Sequence, residues 1–330
     1  MKILHVNSYY STSKFYKNFF DKQIELNNNI DVFVPVTRTF SGNNFNFGDY
    51  TTVSNNHGRY DRYIFHLKQS KIYKDILREF KINEYNLIHA HSLFTNGYIA
   101  YKLNKDYGIP YIVAVRDTDI NIFFKKRILL RQTGIEILKR AKQIILLSDT
   151  YKDYMINKYI PYKIRNEIKS KIKIIPNGID HFWLENIPYD RNKKLIDEKS
   201  TIKVLQVGEV SKRKNQFTTI KAVNLLKEEG YKVEFTIVGK VRDNKIFREI
   251  KKQSGIHHVE HVTKEKLINI FRDHDIFVMP SVTETFGLVY AEAMSQSLPI
   301  IYTRGQGFDG QFKNGEVGYS VDCFDEYEIK

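Results

Sequence analysis

The chain has 330 residues and a formal net charge of +14, a length that suits two domains. Hydrophobic residues make up 42% and charged residues 27%, which excludes a largely disordered protein. One cysteine, Cys323, excludes a disulfide framework or a multi-cysteine metal site and fits a reducing compartment. No signal-peptide pattern or long apolar run is present, so we expect a soluble, cytoplasmic protein.

The first half alternates short apolar runs with amphipathic stretches, which is typical of parallel sheets whose strands are joined by helices. The apolar runs predict strands at Lys2–Asn7, Asp31–Pro35, Leu87–His89, Tyr111–Val115, Gln143–Leu147 and Lys173–Ile175. Helices are predicted between them, for example over Lys71–Phe80 and Gly97–Tyr107.

The second half repeats this alternation after a polar segment, Pro176–Ser200, which places a domain boundary near residue 180. The predicted strands are Lys203–Val207, Glu234–Val238, Ile276–Met279 and Ile300–Tyr302, and the predicted helices are Asn215–Glu229, Lys264–Asp273 and Phe286–Ser295. We therefore expect an α/β protein with two tandem Rossmann-like, doubly wound domains, 1–180 and 181–330, facing each other across a cleft. Ligands are expected at the carboxyl ends of the strands.

The segment FVMPSVTETFGLVYAEAMSQSLPII, residues 277–301, is the most informative part of the chain. It predicts a strand, a turn and a helix, with Glu284 before the helix and Glu292 about two turns inside it. The helix start offers the N–H groups of Gly287, Leu288 and Val289 to an anion. One carboxylate can then lie beside phosphates while the other accepts ribose hydroxyls. The alternative is two surface glutamates on an amphipathic helix.

This segment resembles the glutamate–seven–glutamate motif of glycosyltransferase family 4, the retaining GT-B enzymes that use nucleotide-activated sugars. Further matches follow in the same order along the chain: NLIHAHS (86–92), IIPNGID (174–180), VGEVSKRKN (207–215) and RGQGFDGQFKNGEVGYSV (304–321). The resemblance covers nearly the whole chain and implies a GT-B architecture.

The resemblance implies a role for each matching residue of the second half. Glu292 would bind the donor ribose, Glu284 would contact the donor sugar, and Lys214 would neutralise the leaving diphosphate. Backbone N–H groups of the helix start would also hold the diphosphate. The remaining implied donor-binding residues are Gly208 and Arg213. A positioned cation and a helix dipole stabilise the charge that develops on the leaving group. This chemistry requires no metal or other cofactor.

Three departures from the family pattern stand out. Glu209 occupies the position after Gly208 where the family often has arginine, so Lys212, Arg213 or Lys214 must neutralise the phosphate. The glycine-rich turn after the first strand is replaced by SYYSTSKFYKNFF. Either the hydroxyls of Ser11, Thr12 or Ser13 bind the phosphate in place of the glycine backbone, or this loop binds only the acceptor. Arg116 stands where the family often has histidine, and a guanidinium there suits donor phosphate or an anionic acceptor.

The first half holds the candidate acceptor residues. His91 is expected to reach the acceptor, whereas His89 fits a core histidine. Asp119 is the candidate for contacting the acceptor hydroxyl. Asp117 and Asp119 together also permit a second interpretation, the Asp-x-Asp metal site of the unrelated GT-A fold. The histidines of GIHHVEHV, residues 255–262, are expected on a surface loop.

Residues 1–180 carry almost all of the net positive charge. Between Asn121 and Lys142 the cations are accompanied by Phe123, Phe124 and Ile128–Leu130, a composition that favours an anionic membrane surface. The alternative is that the two phenylalanines are core and the cations are solvated. Binding to nucleic acid is a third and less favoured interpretation.

We therefore expect a metal-independent, retaining hexosyltransferase that moves a sugar from a nucleotide-diphosphate donor to a glycan or lipid-linked acceptor. Bacterial capsule, exopolysaccharide or lipopolysaccharide synthesis is the expected setting, with the protein cytoplasmic or peripheral at the inner face of the membrane. A non-catalytic GT-B scaffold subunit is the alternative. Family members generally continue past FDEYEIK through closing helices, which we expect to be absent from these 330 residues.

Overall fold

The structure is a computed structural model that describes residues 1–12, 15–42, 46–189 and 200–330. The chain divides into two units, one formed by Met1–Leu147 with Lys152–Ile175, and the other by Ser148–Tyr151 with Pro176–Lys330. The division at Ile175 lies close to the boundary predicted near residue 180.

The first unit contains a seven-stranded parallel sheet in the order β3-β2-β1-β4-β5-β6-β7. Its strands are β1 (Lys2–Val6), β2 (Asn29–Thr37), β3 (Thr51–His57), β4 (Leu87–Ala90), β5 (Tyr111–Ala114), β6 (Gln143–Leu146) and β7 (Ile172–Ile174). Its helices are α1 (Phe15–Glu25), α2 (Phe65–Glu79), α3 (Gly97–Tyr107), α4 (Arg131–Arg140), α5 (Asp149–Tyr159), which runs on from the Ser148–Tyr151 segment, and α6 (Arg165–Ser170). Ile30 and Val32 of β2 pack with Phe20 of α1 in a buried cluster.

The second unit contains a six-stranded parallel sheet in the order β10-β9-β8-β11-β12-β13. Its strands are β8 (Ile202–Val207), β9 (Val233–Val238), β10 (Ile256–Val259), β11 (Ile276–Met279), β12 (Ile300–Thr303) and β13 (Gly318–Val321). Its helices are α7 (His181–Glu185), α8 (Gln216–Glu228), α9 (Asn244–Ile250), α10 (Lys264–Arg272), α11 (Leu288–Ser295) and α12 (Glu326–Ile329). Val204, Phe235 and Val278 lie in its hydrophobic core.

Both units therefore have the predicted Rossmann-like, doubly wound form. A parallel sheet with crossover helices buries both faces, which explains why the long strand β2 reads as an almost continuous apolar run.

Three edge strands, β3, β10 and β13, were not predicted. Strand β3 is polar, and its register is held by Ser54 and Asn56, which donate hydrogen bonds to the buried carboxylate of Asp75 in α2. Strand β10 contains His257 and His258, which the sequence placed on a surface loop. His258 Nε2 donates a hydrogen bond to the Gly239 carbonyl at 2.9 Å, so this residue is partly buried at the sheet edge.

Candidate active site

The start of α11 forms a backbone cradle in the second unit. The helix begins at Leu288, two residues later than predicted, and Gly287 is its N-cap with φ of 74°. A Cβ at Gly287 would lie 2.5 Å from the Tyr290 ring, so both the left-handed conformation and the available space require glycine. No side chain caps this end of the helix, so the first N–H groups remain available to an anion.

A buried ion pair lies beside this cradle. Lys214 Nζ donates to Glu284 Oε2 at 2.6 Å, and both side chains are about nine-tenths buried. The backbone N–H of Glu284 donates to Gln306 Oε1 at 2.9 Å, which fixes the turn before α11. Lys214 comes from the loop after β8, whereas Glu284 follows β11, and these two strands are neighbours in the sheet. The topology therefore brings together two residues that are 70 positions apart.

Gly208 and Arg213 flank this pair. A Cβ at Gly208 would lie 3.1 Å from Cε of Lys214, so the glycine leaves room for the lysine side chain. Arg213 Nη1 donates to the Thr283 carbonyl at 3.1 Å and lies 3.5 Å from Glu284 Oε2. The cations expected for the leaving diphosphate thus share one carboxylate, that of Glu284.

Glu209 extends the charged cluster away from the helix. Its Oε1 lies 3.5 Å from Arg213 Nη2, and its Oε2 lies 3.5 Å from Arg242 Nε. Arg242 follows β9 and was not among the predicted site residues. The sequence indicates Arg242 only weakly, because the one clue is that it follows the end of β9, a strand that neighbours β8.

Glu292 lies on α11 in a mostly buried setting. Burial, together with the nearby carboxylate of Asp180, raises the pKa of Glu292 to about 7, although a hydrogen bond from Trp183 opposes the shift. Asp180 caps α7 by accepting from the Phe182 N–H at 2.9 Å, and its Oδ2 accepts from Lys264 Nζ at 2.9 Å. The carboxyl group of Glu292 therefore changes its protonation state near neutral pH, and with it the hydrogen bonds that it can make.

Asp180, Trp183 and Lys264 were not predicted as site residues. Asp180 stands in the PNGID element that supported the family resemblance, and an aspartate before an apolar run is an N-cap signal. That signal predicts the start of α7 but not its contact with Glu292, which depends on the packing of α7 against α11.

The arrangement suits a ligand with a diphosphate and a diol. The cradle and the cations offer positive potential for phosphate, while Glu292 offers acceptors for hydroxyl groups. The structure brings together Glu284, Lys214, Arg213, Gly208 and the α11 cradle, and Glu292 lies farther along the same helix.

In the first unit, His91 belongs to a cluster of buried imidazoles. His5 Nδ1 and His91 Nε2 are 3.0 Å apart, and the His89 and His91 rings stack at 4.2 Å. Burial lowers the pKa of His5 to about 3 and lowers the pKa of His89 and His91 well below the usual range, with Arg116 contributing at the latter two. All three imidazoles are therefore neutral at pH 7.

These three histidines are the only group of metal-ligating side chains that the described part of the chain brings together. No carboxylate joins them in that part of the chain, and Arg116 places a positive charge nearby. The hydrogen bond between His5 Nδ1 and His91 Nε2 already uses one ring nitrogen of each residue, which favours a neutral hydrogen-bonded cluster.

Asp119 differs from its expected role. Its carboxylate is fully buried and accepts hydrogen bonds from the N–H groups of Leu93, Phe94 and Arg116 at 2.9–3.1 Å. With both oxygens occupied by the backbone, Asp119 holds the ends of β4 and β5 together and has no surface for an acceptor hydroxyl. Asp117 accepts instead from Asn121, so the two aspartates do not form a metal site among the described residues.

Arg116 and His91 do lie together at the ends of β4 and β5. Arg116 Nε donates to the His91 carbonyl at 3.3 Å, and the arginine side chain is partly buried. In the loop after β1, Ser11 Oγ donates to the Ser8 carbonyl at 3.1 Å. Ser13, another candidate hydroxyl, lies outside the described residues.

The basic segment after β5 separates into core and surface residues. Phe124 is fully buried, and the partly buried Phe123 stacks on Phe94 at 4.6 Å, which favours the alternative that these two rings belong to the core. Ile128 and Leu129 are exposed instead, Leu129 almost completely. The apolar surface next to the cations is therefore aliphatic.

Two parallel sheets with crossover helices, one of them carrying a cationic helix-start site, define the GT-B class of fold. A family model described as Glycosyltransferase Family 4 matches residues 15–181, and one described as Glycosyl transferases group 1 matches residues 186–330. The chain belongs to glycosyltransferase family 4.

Known relatives agree with this assignment. The chain is 26% identical over 282 residues to an uncharacterized 41.2 kDa protein in the cps region of Klebsiella pneumoniae, covering 79% of this chain and 72% of that protein. It is 26% identical over 194 residues to the capsular polysaccharide biosynthesis glycosyltransferase CapM of Staphylococcus aureus, covering 55% and 48%. Sucrose-phosphate synthase from Thermosynechococcus elongatus has the same fold, with a TM-score of 0.75, 16% identity, and coverage of 100% of this chain and 88% of that one.

The aligned part spans 58–72% of the length of the leading curated relatives. No helix in the described part of the chain is both long and apolar enough to cross a bilayer.

Proposed function

We propose that this chain is a retaining, metal-independent hexosyltransferase that moves a sugar from a nucleotide-diphosphate donor to a glycan or lipid-linked acceptor. The observation that carries the proposal is the buried Lys214–Glu284 pair at 2.6 Å beside the uncapped start of α11. Breaking the glycosidic bond leaves a negative charge on the nucleoside diphosphate. Lys214, Arg213 and the α11 N–H groups are placed to stabilise that charge.

The remaining residues divide the work of binding and orientation. Glu292 accepts the ribose hydroxyls, and Glu284 exchanges its bond with Lys214 for hydroxyls of the donor sugar. Arg116 serves the acceptor and suits an anionic group, whereas His91, which is 2% exposed and hydrogen-bonded to His5, supports the ends of the strands beside it. Lys214, Arg213 and the N–H groups at the start of α11 surround the leaving diphosphate. These groups of the chain stabilise its negative charge without a metal.

Polysaccharide assembly is the setting we propose. It is supported by the similarity to a protein of a cps region and to a capsular polysaccharide glycosyltransferase. The protein would then work in the cytoplasm, at the inner face of the membrane, on acceptors carried by lipid.

An exposed surface of the first unit supports contact with an anionic membrane. Ile128 and Leu129 lie next to Lys125 and Lys126, and all four side chains are exposed. Arg127 Nη2 donates to the Arg62 carbonyl at 3.2 Å, which places this turn beside the exposed Tyr60, Tyr63 and Ile64. Each engaged cation contributes about 1 kcal/mol near an anionic surface, so several give reversible attachment.

Liposome sedimentation tests this membrane surface. Leu129→Asn should reduce binding to vesicles that contain anionic lipid, whereas Leu26→Asn, an exposed leucine after α1, should not. Equal binding of the wild type to neutral and anionic vesicles, or no binding to either, would contradict the proposal.

Transfer of labelled sugar from a panel of nucleotide sugars to bacterial lipid extracts tests the activity. We expect turnover to persist in excess EDTA. We expect Glu284→Gln to lower turnover at least a hundredfold and Glu316→Gln, at an exposed position, to leave it unchanged. A strict need for Mn²⁺ would overturn metal independence. Donor binding without any transfer or donor hydrolysis would favour a non-catalytic GT-B subunit.

A further inference from the structure

We propose that Glu209 makes the donor site discriminate by charge between the nucleotide sugar and the nucleoside diphosphate product, so that the product is released more readily. This inference rests on the proposed function, because it concerns the same donor site. Glu209 touches its neighbouring cations rather than substrate, and it therefore acts as a specificity-determining residue through the electrostatic field.

The position of Glu209 is fixed by two arginines. Its carboxylate lies 3.5 Å from Arg213 and 3.5 Å from Arg242, and Ser211 Oγ donates to it at 3.5 Å. The other terminal nitrogen of Arg213 is 3.5 Å from Glu284. Because the two terminal nitrogens of one guanidinium are about 2.3 Å apart, the carboxylates of Glu209 and Glu284 are within about 9 Å of each other.

The cluster alternates in sign. Arg242, Glu209, Arg213, Glu284 and Lys214 follow one another as cation, anion, cation, anion and cation. Its net charge is +1, and an arginine at position 209 would make it +3. The site is therefore weakly rather than strongly positive where a diphosphate would bind.

This difference affects donor and product unequally. The diphosphate of a nucleotide sugar carries two negative charges. The product gains a terminal phosphate whose second ionisation has a pKa near 6, so it carries close to three charges at pH 8. For a diphosphate bound beside Glu284, about 9 Å away, a fixed negative charge at Glu209 repels every ligand charge, which corresponds to roughly a twofold change in Kd per charge, the third charge included. Release of the product from such sites often limits turnover.

Calorimetric Kd values for the full chain test the inference, with UDP against UDP-glucose and GDP against GDP-mannose at pH 8 and low salt. Glu209→Gln keeps the shape of the side chain and removes the charge. We expect it to lower the Kd of the sugar donor, with two charges, roughly fourfold and that of the diphosphate, with three, roughly eightfold. Glu249→Gln is the matched control, because Glu249 is an exposed glutamate of the same unit that pairs with Lys252 at 2.7 Å. It should change neither Kd.

Salt separates an electrostatic role from a structural one. In 1 M NaCl the screening length falls to about 3 Å, so Glu209→Gln and the wild type should then show the same ratio of the two Kd values. A Glu209→Gln chain whose two Kd values change by the same factor, or do not change, would overturn the inference while leaving the proposed function intact. A wild-type chain that binds neither ligand would contradict the proposed function itself, and this inference with it.

Discussion

Replacing Glu292 with glutamine should stabilise the second unit at pH 8. The pKa of Glu292 is raised from 4.5 to about 7, chiefly by burial. Between these values the folded chain keeps a proton that the unfolded chain has lost, so stability falls as pH rises through this window. At 1.36 kcal/mol per pKa unit, the ionised carboxylate costs about 3 kcal/mol above pH 7.

Glutamine removes this cost and still accepts the hydrogen bond from Trp183. We expect the Glu292→Gln gain in the free energy of unfolding to be about 3 kcal/mol at pH 8 and about 1 kcal/mol at pH 5. Urea unfolding followed by fluorescence is suitable, because Trp183 is the single tryptophan and reports on this unit.

The exposed Glu260→Gln is the matched control for charge removal and should show no comparable dependence on pH. An equal effect of Glu292→Gln at both pH values, or a loss of stability at pH 8, would refute the reasoning. The first result would mean that burial does not shift the pKa of the Glu292 carboxyl group.

Further expectations concern binding and stability. Affinity for a nucleotide sugar should fall as pH drops from 8 to 5.5, because protonated Glu292 loses acceptor capacity, and calorimetry on Glu292→Gln should show a flat profile. Asp119→Ala should destabilise the first unit by about 3–5 kcal/mol in thermal unfolding, because buried N–H groups lose their acceptor, while Asp117→Ala should cost under about 1.5 kcal/mol. Gly287→Ala should abolish donor binding, whereas Gly230→Ala, which also has positive φ but open space around it, should retain it.

The fold was predictable where strands are central and apolar. The runs that form β1, β2, β8 and β11 are buried on both faces. Such strands are almost continuously apolar, so the sequence alone predicts them. Edge strand β3 was missed because its residues are polar, and their burial depends on Asp75 of the next α-helix, 19 to 21 residues along the chain. No local pattern encodes that partner.

The site was predictable where one segment supplies it. The residues of the α11 start lie within a few positions of each other, so spacing alone places them together. Asp119 was misassigned because a polar residue at a strand end looks the same in sequence whether it faces a ligand or the backbone. The environment of Glu292 was not predicted, because Asp180 and Trp183 approach it only through tertiary packing.

The most direct test of a nucleotide-sugar site in the second unit compares how tightly the wild type and the variants Lys214→Met and Lys212→Met bind a nucleoside diphosphate, measured as Kd. The two lysines are two positions apart, but Lys214 is buried against Glu284 and Lys212 is exposed. We expect the wild type and Lys212→Met to bind alike, and Lys214→Met to bind at least tenfold more weakly while remaining folded. No binding by the wild type, or equal binding by both variants, would contradict the account.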